Sequence, residues 1–443
     1  MATSFTTFKY MLDFKCLGGD CEDTCCKSWD IWLDRPHFEL LQEKVTSHSK
    51  DESAVFTKYV EVNDSESASD RNYAHINLKD NGDCPFLESD GWCRLHKTFG
   101  EAPLSNICAY YPRVLSQCGN DIELSGALSC PEMVRKCLLG EDSFEEVEFK
   151  PDILPRPDDY PLTRELSLPT NEPYYDNFIA VRNLLTQMMK LEGFSFESRF
   201  YFLSSFSNRV KAYYSEASEQ GDSRQLTEEI KKALKAADLK KQDDYVNQFD
   251  SADPVAIIVI QSVLQLRIQQ FPNENTSILA SKIFEKYGDV ITVAEQSGDL
   301  HEALPPESLW ENFKENKELV NNCFQKQLDE YFSRFLMNCL HREWYITMPD
   351  LFTYLHMLTI RLAVLRFLIY SHPDILQIAE SLNEDAAKAS DSDINKLNKI
   401  VVDVVYNYSR AIDHNMLFLK VVYDAMNEQQ MMTFEYSLPF IKF

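Results

Sequence analysis

Cysteine is concentrated at one end of this chain, and this distribution limits what the chain can fold into. Of the 12 cysteines in 443 residues, ten lie before residue 138, and the remaining 306 residues hold only Cys323 and Cys339. The first residues show no basic segment followed by an apolar stretch, so no secretory signal is predicted and the expected location is the cytoplasm. Because disulfide scaffolds belong to oxidising compartments, these thiols are expected to bind metal rather than one another.

The N-terminal cysteines form compact motifs that hold more thiols than one zinc ion needs. The first block is Cys16-x4-Cys21-x3-Cys25-Cys26, and Cys84 and Cys130 each precede a proline, as in ferredoxin-type ligand runs. Thiolates select zinc, copper(I) or iron–sulfur clusters, and a structural zinc takes four ligands. The cysteines predicted to bind metal are Cys16, Cys21, Cys25, Cys26, Cys84, Cys93 and Cys108. The cysteines expected to be buried, inert thiols are Cys118, Cys137, Cys323 and Cys339.

Charge and composition argue against several classes of function. Lys and Arg number 44 against 70 Asp and Glu, which gives a formal net charge of −26. Binding to nucleic acid or to an anionic membrane needs a basic surface, so neither is an expected partner, whereas a lysine-bearing protein segment is. Only 12 glycines occur, so Gly-rich phosphate loops are scarce. No uncharged apolar run approaches the ~18 residues of a membrane span.

Composition divides the chain into three zones and predicts a mainly α fold. Residues 1–140 are rich in cysteine and turns and are predicted to form a metal-binding domain. Residues 141–173 are predicted to be an acidic connector, since they hold six of the 18 prolines, and residues 174–443 are predicted to be an all-helical domain. The segments of this last zone with helical periodicity are 176–191, 196–216, 226–236, 254–270, 306–341, 350–371 and 393–427.

One helix and a small β meander are predicted within the cysteine-rich zone. Asp34-Arg35-Pro36 is typical of a helix start. Short apolar segments at 75–79, 84–87 and 92–95, separated by Asn-Gly and Asp-Gly turn signals, predict antiparallel strands. Pairing of the last two segments would place Cys84 and Cys93 on one face of the meander.

The cysteine motifs belong to a longer pattern that runs nearly from end to end. The chain opens with Tyr10-Met11-Leu12-Asp13-Phe14-Lys15-Cys16 and contains Tyr408-Ser409-Arg410-Ala411-Ile412-Asp413-His414-Asn415 near its end. Between them lie Cys21-Glu22-Asp23-Thr24-Cys25-Cys26 with Trp29, Cys84-Pro85-Phe86-Leu87, Gly91-Trp92-Cys93, Leu104-Ser105 with Cys108, Tyr111-Pro112-Arg113 and Ser129-Cys130-Pro131-Glu132. In this pattern the chain resembles the flagellin lysine-N-methylase family of bacteria. Its cysteine blocks also resemble small bacterial domains that chelate zinc or iron.

The resemblance implies an enzyme that transfers a methyl group from S-adenosylmethionine to lysine side chains of flagellin. It also implies an iron–sulfur cluster, [4Fe–4S], held by the cysteines, with zinc as the alternative metal. A lysine amine, with a pKa of about 10.4, must lose its proton before it attacks, so a carboxylate or phenolate base is needed. The acids near the thiols in sequence are Asp13, Glu22, Asp23 and Glu132. The aromatic residues that would favour cationic groups are Trp29, Trp32, Trp92, Tyr110 and Tyr111.

Two functions of other classes remain open on the residues alone. The first is a non-enzymatic zinc- or iron-binding protein whose helical half is an interaction platform. The second is a redox or radical enzyme that uses the same cluster. Metal content and the products formed from S-adenosylmethionine distinguish these from simple methyl transfer.

Overall fold

The structure is a computed structural model that describes residues 4–27, 29–66, 68–217, 223–249, 254–289, 306–384 and 388–443. The chain divides into two units, Met1–Ser167 and Leu168–Phe443. Both β-sheets lie in the first unit, and the described part of the second unit is built from helices. The predicted fold class, mainly α with a small β component in the cysteine-rich region, is therefore confirmed.

The first unit contains eight described strands in two sheets. They are β1 (Ser4–Phe8), β2 (Ile31–Leu33), β3 (Val60–Val62), β4 (Ala74–Ile76), β5 (Arg113–Cys118), β6 (Asp121–Gly126), β7 (Glu146–Glu148) and β8 (Arg164–Leu166). The larger sheet has the order β7-β1-β6-β5-β8, and the smaller has the order β2-β4-β3. β5 and β6 form an antiparallel hairpin, and β1 adds parallel to β6. Leu115, Ile122 and Leu124 of the hairpin are buried and form part of the core.

Six helices accompany these sheets in the described residues. They are α1 (Lys9–Leu12), α2 (Arg35–His48), α3 (Lys50–Tyr59), α4 (Arg94–Phe99), α5 (Asn106–Tyr110) and α6 (Pro131–Val134). The predicted helix start is confirmed, because the Asp34 side chain accepts a hydrogen bond from the His37 N–H at 3.0 Å. α2 turns Phe38, Leu41 and Val45 into the core.

The small sheet exists, but its strands are not the segments predicted for the meander. Only the first predicted segment contributes a strand, β4, which pairs with β2 and β3 instead. The second and third segments meet at a single isolated bridge between Leu87 and Cys93. The third segment is too short to extend this pairing, since α4 begins at Arg94 and continues to Phe99. Gly91, with φ of 80°, makes the tight turn between them.

The segment after residue 140 contributes to the larger sheet. β7 and β8 both lie in residues 141–167, and they form the two edges of the sheet. Four prolines, between 151 and 161, lie in the stretch that joins them. Proline has no N–H to donate, so such a stretch can flank edge strands but cannot supply a central one.

The second unit contains thirteen helices in the described residues. They are α7 (Pro173–Asp176), α8 (Phe178–Met189), α9 (Phe196–Val210), α10 (Ser223–Ala233), α11 (Ala236–Val246), α12 (Val255–Gln270), α13 (Asn275–Tyr287), α14 (Pro306–Arg342), α15 (Leu351–Tyr370), α16 (Pro373–Glu384), α17 (Asp391–Tyr408), α18 (Met416–Glu428) and α19 (Ser437–Lys442). Each of the seven predicted helical segments overlaps a helix. The last one, 393–427, is divided by a π-helical turn at Ser409–Asp413.

α15 is the central helix of the second unit. All 20 of its residues are buried. Of the described helices, this one is long and apolar enough, by length and composition, to cross a membrane. It carries Arg361 and Arg366, however, and both guanidinium groups form ion pairs with carboxylates of other helices or their flanking residues. These features are those of a core helix surrounded by other helices.

Candidate metal centre

Six of the seven predicted metal-binding cysteines line one cavity in the first unit. The cavity has a volume of about 310 Å³, within the range of small-molecule sites. Its thiols are Cys16, Cys25, Cys26, Cys84, Cys93 and Cys108. Cys21 does not line the cavity. Burial raises its pKa, and the charges of the nearby Cys16 and Cys25 thiolates raise it further. The structure therefore brings together residues that are up to 92 positions apart in the sequence.

A glycine pair and a tryptophan hold the first cysteine block against the block that contains Cys93. Gly18 and Gly19 lie in the loop between Cys16 and Cys21, and the indole of Trp92 packs directly on them. A Cβ atom on Gly19 would meet the carbonyl oxygen of Asp90 and lie 2.8 Å from the Trp92 ring. Gly18 has φ of 56°, a conformation that favours glycine. The Gly-Gly pair thus allows Trp92 to fix the loop beside Cys93.

Backbone hydrogen bonds fix the positions of Cys26, Cys84 and Cys93. The N–H of Cys84 donates to the carbonyl of Cys26 at 2.8 Å. Beside this bond, the main chains of Lys27 and Asp83 form an isolated antiparallel β-bridge. Cys93 lies immediately before α4, and the N–H of its neighbour Arg94 donates to the Phe86 carbonyl at 2.8 Å. These contacts join three separate cysteine motifs through the main chain, so the cavity wall does not depend on side-chain packing alone.

Cys108 is positioned by α5, whose start is capped and held by polar contacts. The Ser105 hydroxyl accepts a hydrogen bond from the Cys108 N–H at 3.2 Å. Asn106 donates to the Asp34 carboxylate at 2.9 Å, and Asp34 also contacts His37 Nδ1 at 2.6 Å. The same capping aspartate that starts α2 therefore anchors α5 and, through it, Cys108.

The thiols influence one another's acidity. Hydrogen bonds with Cys25 and Cys93 raise the pKa of Cys26, and the bond from Cys26 lowers the pKa of Cys93, despite the opposing effect of burial. Burial raises the pKa of Cys84 to about 11, because the thiolate loses its hydration. A bound cation removes this cost, since a coordinated thiol is deprotonated.

The number and the spacing of the sulfurs bear on the kind of metal centre that the cavity could hold. Four sulfurs about 2.3 Å from a single zinc ion lie about 3.8 Å from one another. Among the described residues, no three of these thiols lie within 4.8 Å of one another. In a cluster each thiolate binds a different iron atom, so its ligands lie farther apart. Cys26 nevertheless forms hydrogen bonds with Cys25 and Cys93, and the six soft donors of the cavity exceed the four ligands that one zinc ion takes.

Aromatic and charged side chains complete the cavity wall. Of the five aromatic residues singled out from the sequence, Trp29 and Tyr111 line the cavity, and their rings meet edge to face at 4.9 Å. Trp92 packs on the glycine pair instead. Tyr110 is buried and donates to the Arg156 carbonyl at 2.8 Å, and Trp32, on β2, is 41% exposed. Of the five aromatic residues close in sequence to the cysteines, two therefore lie in the cavity wall.

The carboxylate that lines the cavity is one that sequence reasoning missed. Glu22 and the buried Glu132 both form ion pairs with Arg135, and Asp23 accepts the Thr24 N–H at 2.8 Å. Of the described acidic residues, the one that lines the cavity is Glu101, which lies 3.9 Å from His96. Lys15, His96 and Arg113 are the basic residues of the same wall. Glu101 lies in no cysteine motif, so only the fold identifies it.

The motif near the end of the chain belongs to a buried ion cluster in the second unit. The π-helical turn brings Asp413 to Arg361 and to Arg342, the latter at 2.9 Å. Arg361 also binds Glu343 through two hydrogen bonds of 2.8 Å. His414 follows the π-helical turn, and its Nε2 lies 3.4 Å from the buried Asp413.

Two comparisons with known proteins place the chain in a family. A model of the FliB lysine N-methylase C-terminal domain matches residues 182–440. The "Flagellar biosynthetic protein FliU" of Salmonella muenchen is 30% identical over 146 residues, which are 32% of this chain and 80% of that protein. The "Lysine-N-methylase" proteins of Salmonella choleraesuis and Salmonella typhimurium are 32% and 28% identical over 139 residues, and the chain spans about a third of their length.

A search of solved structures finds no match. The domain match covers more than half of the sequence, including the second unit from within α8 to within α19. It agrees with the family expected from the cysteine motifs and the Tyr408–Asn415 motif. The chain belongs to the FliB lysine N-methylase family.

Proposed function

We propose that this protein is a lysine N-methyltransferase that transfers a methyl group from S-adenosylmethionine to lysine side chains of flagellin, with an iron–sulfur cluster in its first unit. The family supports a lysine methyltransferase. The cluster and the methyl donor are proposed from one observation, the cavity that six thiols and two aromatic rings line together.

The residues that would hold the cluster are the six thiols of the cavity wall. When bound, a [4Fe–4S] cluster would supply redox-active or Lewis-acidic iron beside the apolar wall. The fit rests on the soft donor set and on the number of thiols, which exceeds the four that a single zinc ion takes. Backbone contacts among Cys26, Cys84 and Cys93 hold these donors in place without the metal.

The side chains of the cavity offer the functions that methylation of an amine requires. Trp29 and Tyr111 present aromatic surfaces, which attract sulfonium and ammonium groups. Glu101 or His96 would accept the proton that the lysine amine loses. The free electron pair of the amine then attacks the methyl carbon, the bond from sulfur to that carbon breaks, and its electrons remain on sulfur.

Charge supports a lysine-bearing protein as the substrate. The formal net charge of −26 attracts cationic segments over a distance of about one Debye length. The flagellar name of the Salmonella muenchen relative supports flagellin within this class. Methylation before export of flagellin would place the protein in the cytoplasm.

Metal identity is the first test of this proposal. The protein is purified without oxygen, and iron, sulfide and zinc are measured alongside the visible absorption spectrum. Iron and sulfide in equal amounts, with a brown colour, are expected. Stoichiometric zinc in a colourless protein would favour the non-enzymatic zinc-binding protein instead.

The reaction is tested with labelled S-adenosylmethionine and purified flagellin. Methyl-lysine, identified by mass spectrometry, is expected together with S-adenosylhomocysteine. Release of 5′-deoxyadenosine would support the radical enzyme. Absence of label from flagellin, with the metal bound, would contradict the proposed substrate.

A further inference from the structure

A second cavity, of about 280 Å³, lies in the second unit between α13, the end of α15 and the second half of α17. It is far from any cysteine motif in sequence, and no predicted function uses it. Its wall combines one cation, one anion and neutral polar groups with aliphatic side chains. This combination selects a ligand that carries both charges and an apolar part.

The two charged residues of this cavity face it without neutralising each other. Lys282 on α13 is exposed and forms no ion pair within 4.0 Å with any residue that the structure describes. Asp403 on α17 is also exposed, and its carboxylate accepts one hydrogen bond, from Asn407 at 3.3 Å. Both charges are therefore available to a ligand that bridges them.

A chain of amides holds the anionic side of the cavity. Asn275 donates to the side-chain oxygen of the buried Asn407 at 3.0 Å. Asn407 in turn donates to both the main-chain carbonyl and the carboxylate of Asp403. These contacts restrict the side chain of Asp403, so less entropy is lost when a cation binds to it.

His372 supplies an uncharged hydrogen-bond donor to the cavity wall. Its Nδ1 accepts the Asp374 N–H at 3.2 Å, so the proton of the neutral ring lies on Nε2. Burial lowers the pKa of His372, which keeps the ring neutral at pH 7. His372 and Lys282 line the same cavity and together suit a carboxylate.

We propose that this cavity binds an α-amino acid group, with the carboxylate at Lys282 and His372 and the ammonium at Asp403. The rest of the ligand would lie against the aliphatic wall, which includes the buried Leu368 and Val404. A free amino acid such as methionine and the methionine end of S-adenosylmethionine carry the same group. The inference does not require that the protein be a methyltransferase, because a free amino acid and S-adenosylmethionine both carry the carboxylate and the ammonium that the cavity would bind.

Calorimetric titration of the full-length protein tests the site. L-Methionine, S-adenosylmethionine and S-adenosylhomocysteine are the probes, and 3-(methylthio)propylamine and 4-(methylthio)butanoate lack the carboxylate and the ammonium, respectively. The three probes are expected to bind at least tenfold more tightly than the two analogues. Equal binding of methionine and the adenosyl compounds would identify an amino acid site, and binding of the adenosyl compounds alone would identify the methyl-donor site. Failure of all three probes to bind at millimolar concentration would overturn the proposal.

Charge-removing variants locate the binding. Lys282→Met and Asp403→Asn are each expected to weaken binding at least tenfold. Lys286→Met, one turn further along α13 and outside the cavity wall, is the matched control and should bind as the parent does. Circular dichroism and thermal melting check that each variant is folded. Unchanged affinity in both folded variants would overturn the assignment of the cavity. Binding without any methylation of flagellin would sustain this inference and count against the proposed function.

Discussion

At the scale of single residues, position relative to the cavity separates cysteines that the sequence treats alike. Cys21 and Cys25 stand in the same block, yet only Cys25 lines the cavity. Cys118, Cys137 and Cys339 are buried, and Cys323 is partly buried with its Sγ 3.8 Å from the Ala379 carbonyl. A thiol that is surrounded by protein, without other soft donors, behaves as a small apolar side chain.

Serine substitutions should distinguish these groups. We expect Cys93→Ser and Cys108→Ser to lose most of the bound metal, because the hydroxyl oxygen is a poor ligand for soft metals. Cys21→Ser should retain more metal than either, since Cys21 does not line the cavity. Iron and zinc are measured by plasma mass spectrometry, with Cys323→Ser as the control. Full metal content in both Cys93→Ser and Cys108→Ser would contradict the assignment.

The largely buried carboxylate of Glu343, 17% exposed, should stabilise the second unit in a pH-dependent way. Burial by itself raises the pKa of Glu343, but Arg361 and Arg342 outweigh this effect, so the pKa lies below its usual value. The folded state therefore gains stability above the ordinary glutamate pKa and loses it as the pH falls through the lower, folded value.

Replacement of this carboxylate provides the test. Glu343→Gln is expected to lower the free energy of unfolding by about 3–5 kcal/mol at pH 7, because the buried Arg361 loses a charged partner. The difference from the parent should shrink as the pH falls below about 4. Urea unfolding across this pH range measures it. The control is Glu330→Gln, because the exposed ion pair of Glu330 with Arg334 contributes less than about 1 kcal/mol to stability. An equal decrease in the free energy of unfolding in both variants would contradict a stabilising role for the Glu343 carboxylate.

At the scale of elements, short segments take the structure that their neighbours allow. Residues 92–95 have the composition of a strand, but Arg94 and Leu95 begin a helix that ends at Phe99 and is followed by Gly100, where φ is 71°. Over four residues the sequence pattern does not distinguish a helix from a strand, because one helical turn and one short strand can each bury two apolar side chains. In contrast, α2 is capped by Asp34, and the sequence identifies its first residue.

The loop between Cys16 and Cys21 is an element whose shape depends on its two glycines. Gly19→Ala is expected to displace Trp92 or the main chain at Asp90, because the added Cβ would overlap them. We expect reduced metal content and a lower melting temperature for the first unit. Gly100→Ala is the control, since a Cβ there meets nothing within 4 Å and only the positive φ opposes it. Metal content equal to that of the parent in Gly19→Ala would show that this packing does not hold the site.

At the scale of the whole molecule, the two units should respond differently to loss of metal. The first unit has two small sheets and short helices, whereas the second contains a fully buried central helix. Metal binding adds its free energy to the folding of the unit that holds the ligands. Oxygen or a chelator should therefore increase hydrogen exchange at residues 84–108 and leave α15 protected. Exchange mass spectrometry measures both regions in one sample, and equal deprotection of both would contradict a metal centre confined to the first unit.

The sequence by itself determined the family, the mainly α class and the concentration of thiols in the first third of the chain. Thiol chemistry does not depend on the fold, and helical periodicity over 10 to 37 residues records which face is buried. Only the tertiary structure decided which six cysteines share a cavity, that Glu101 lies beside them, and that Trp92 packs on Gly18 and Gly19. These contacts join residues from separate motifs. The direction of a short loop is set by packing against distant parts of the chain, and a local pattern carries no record of that packing.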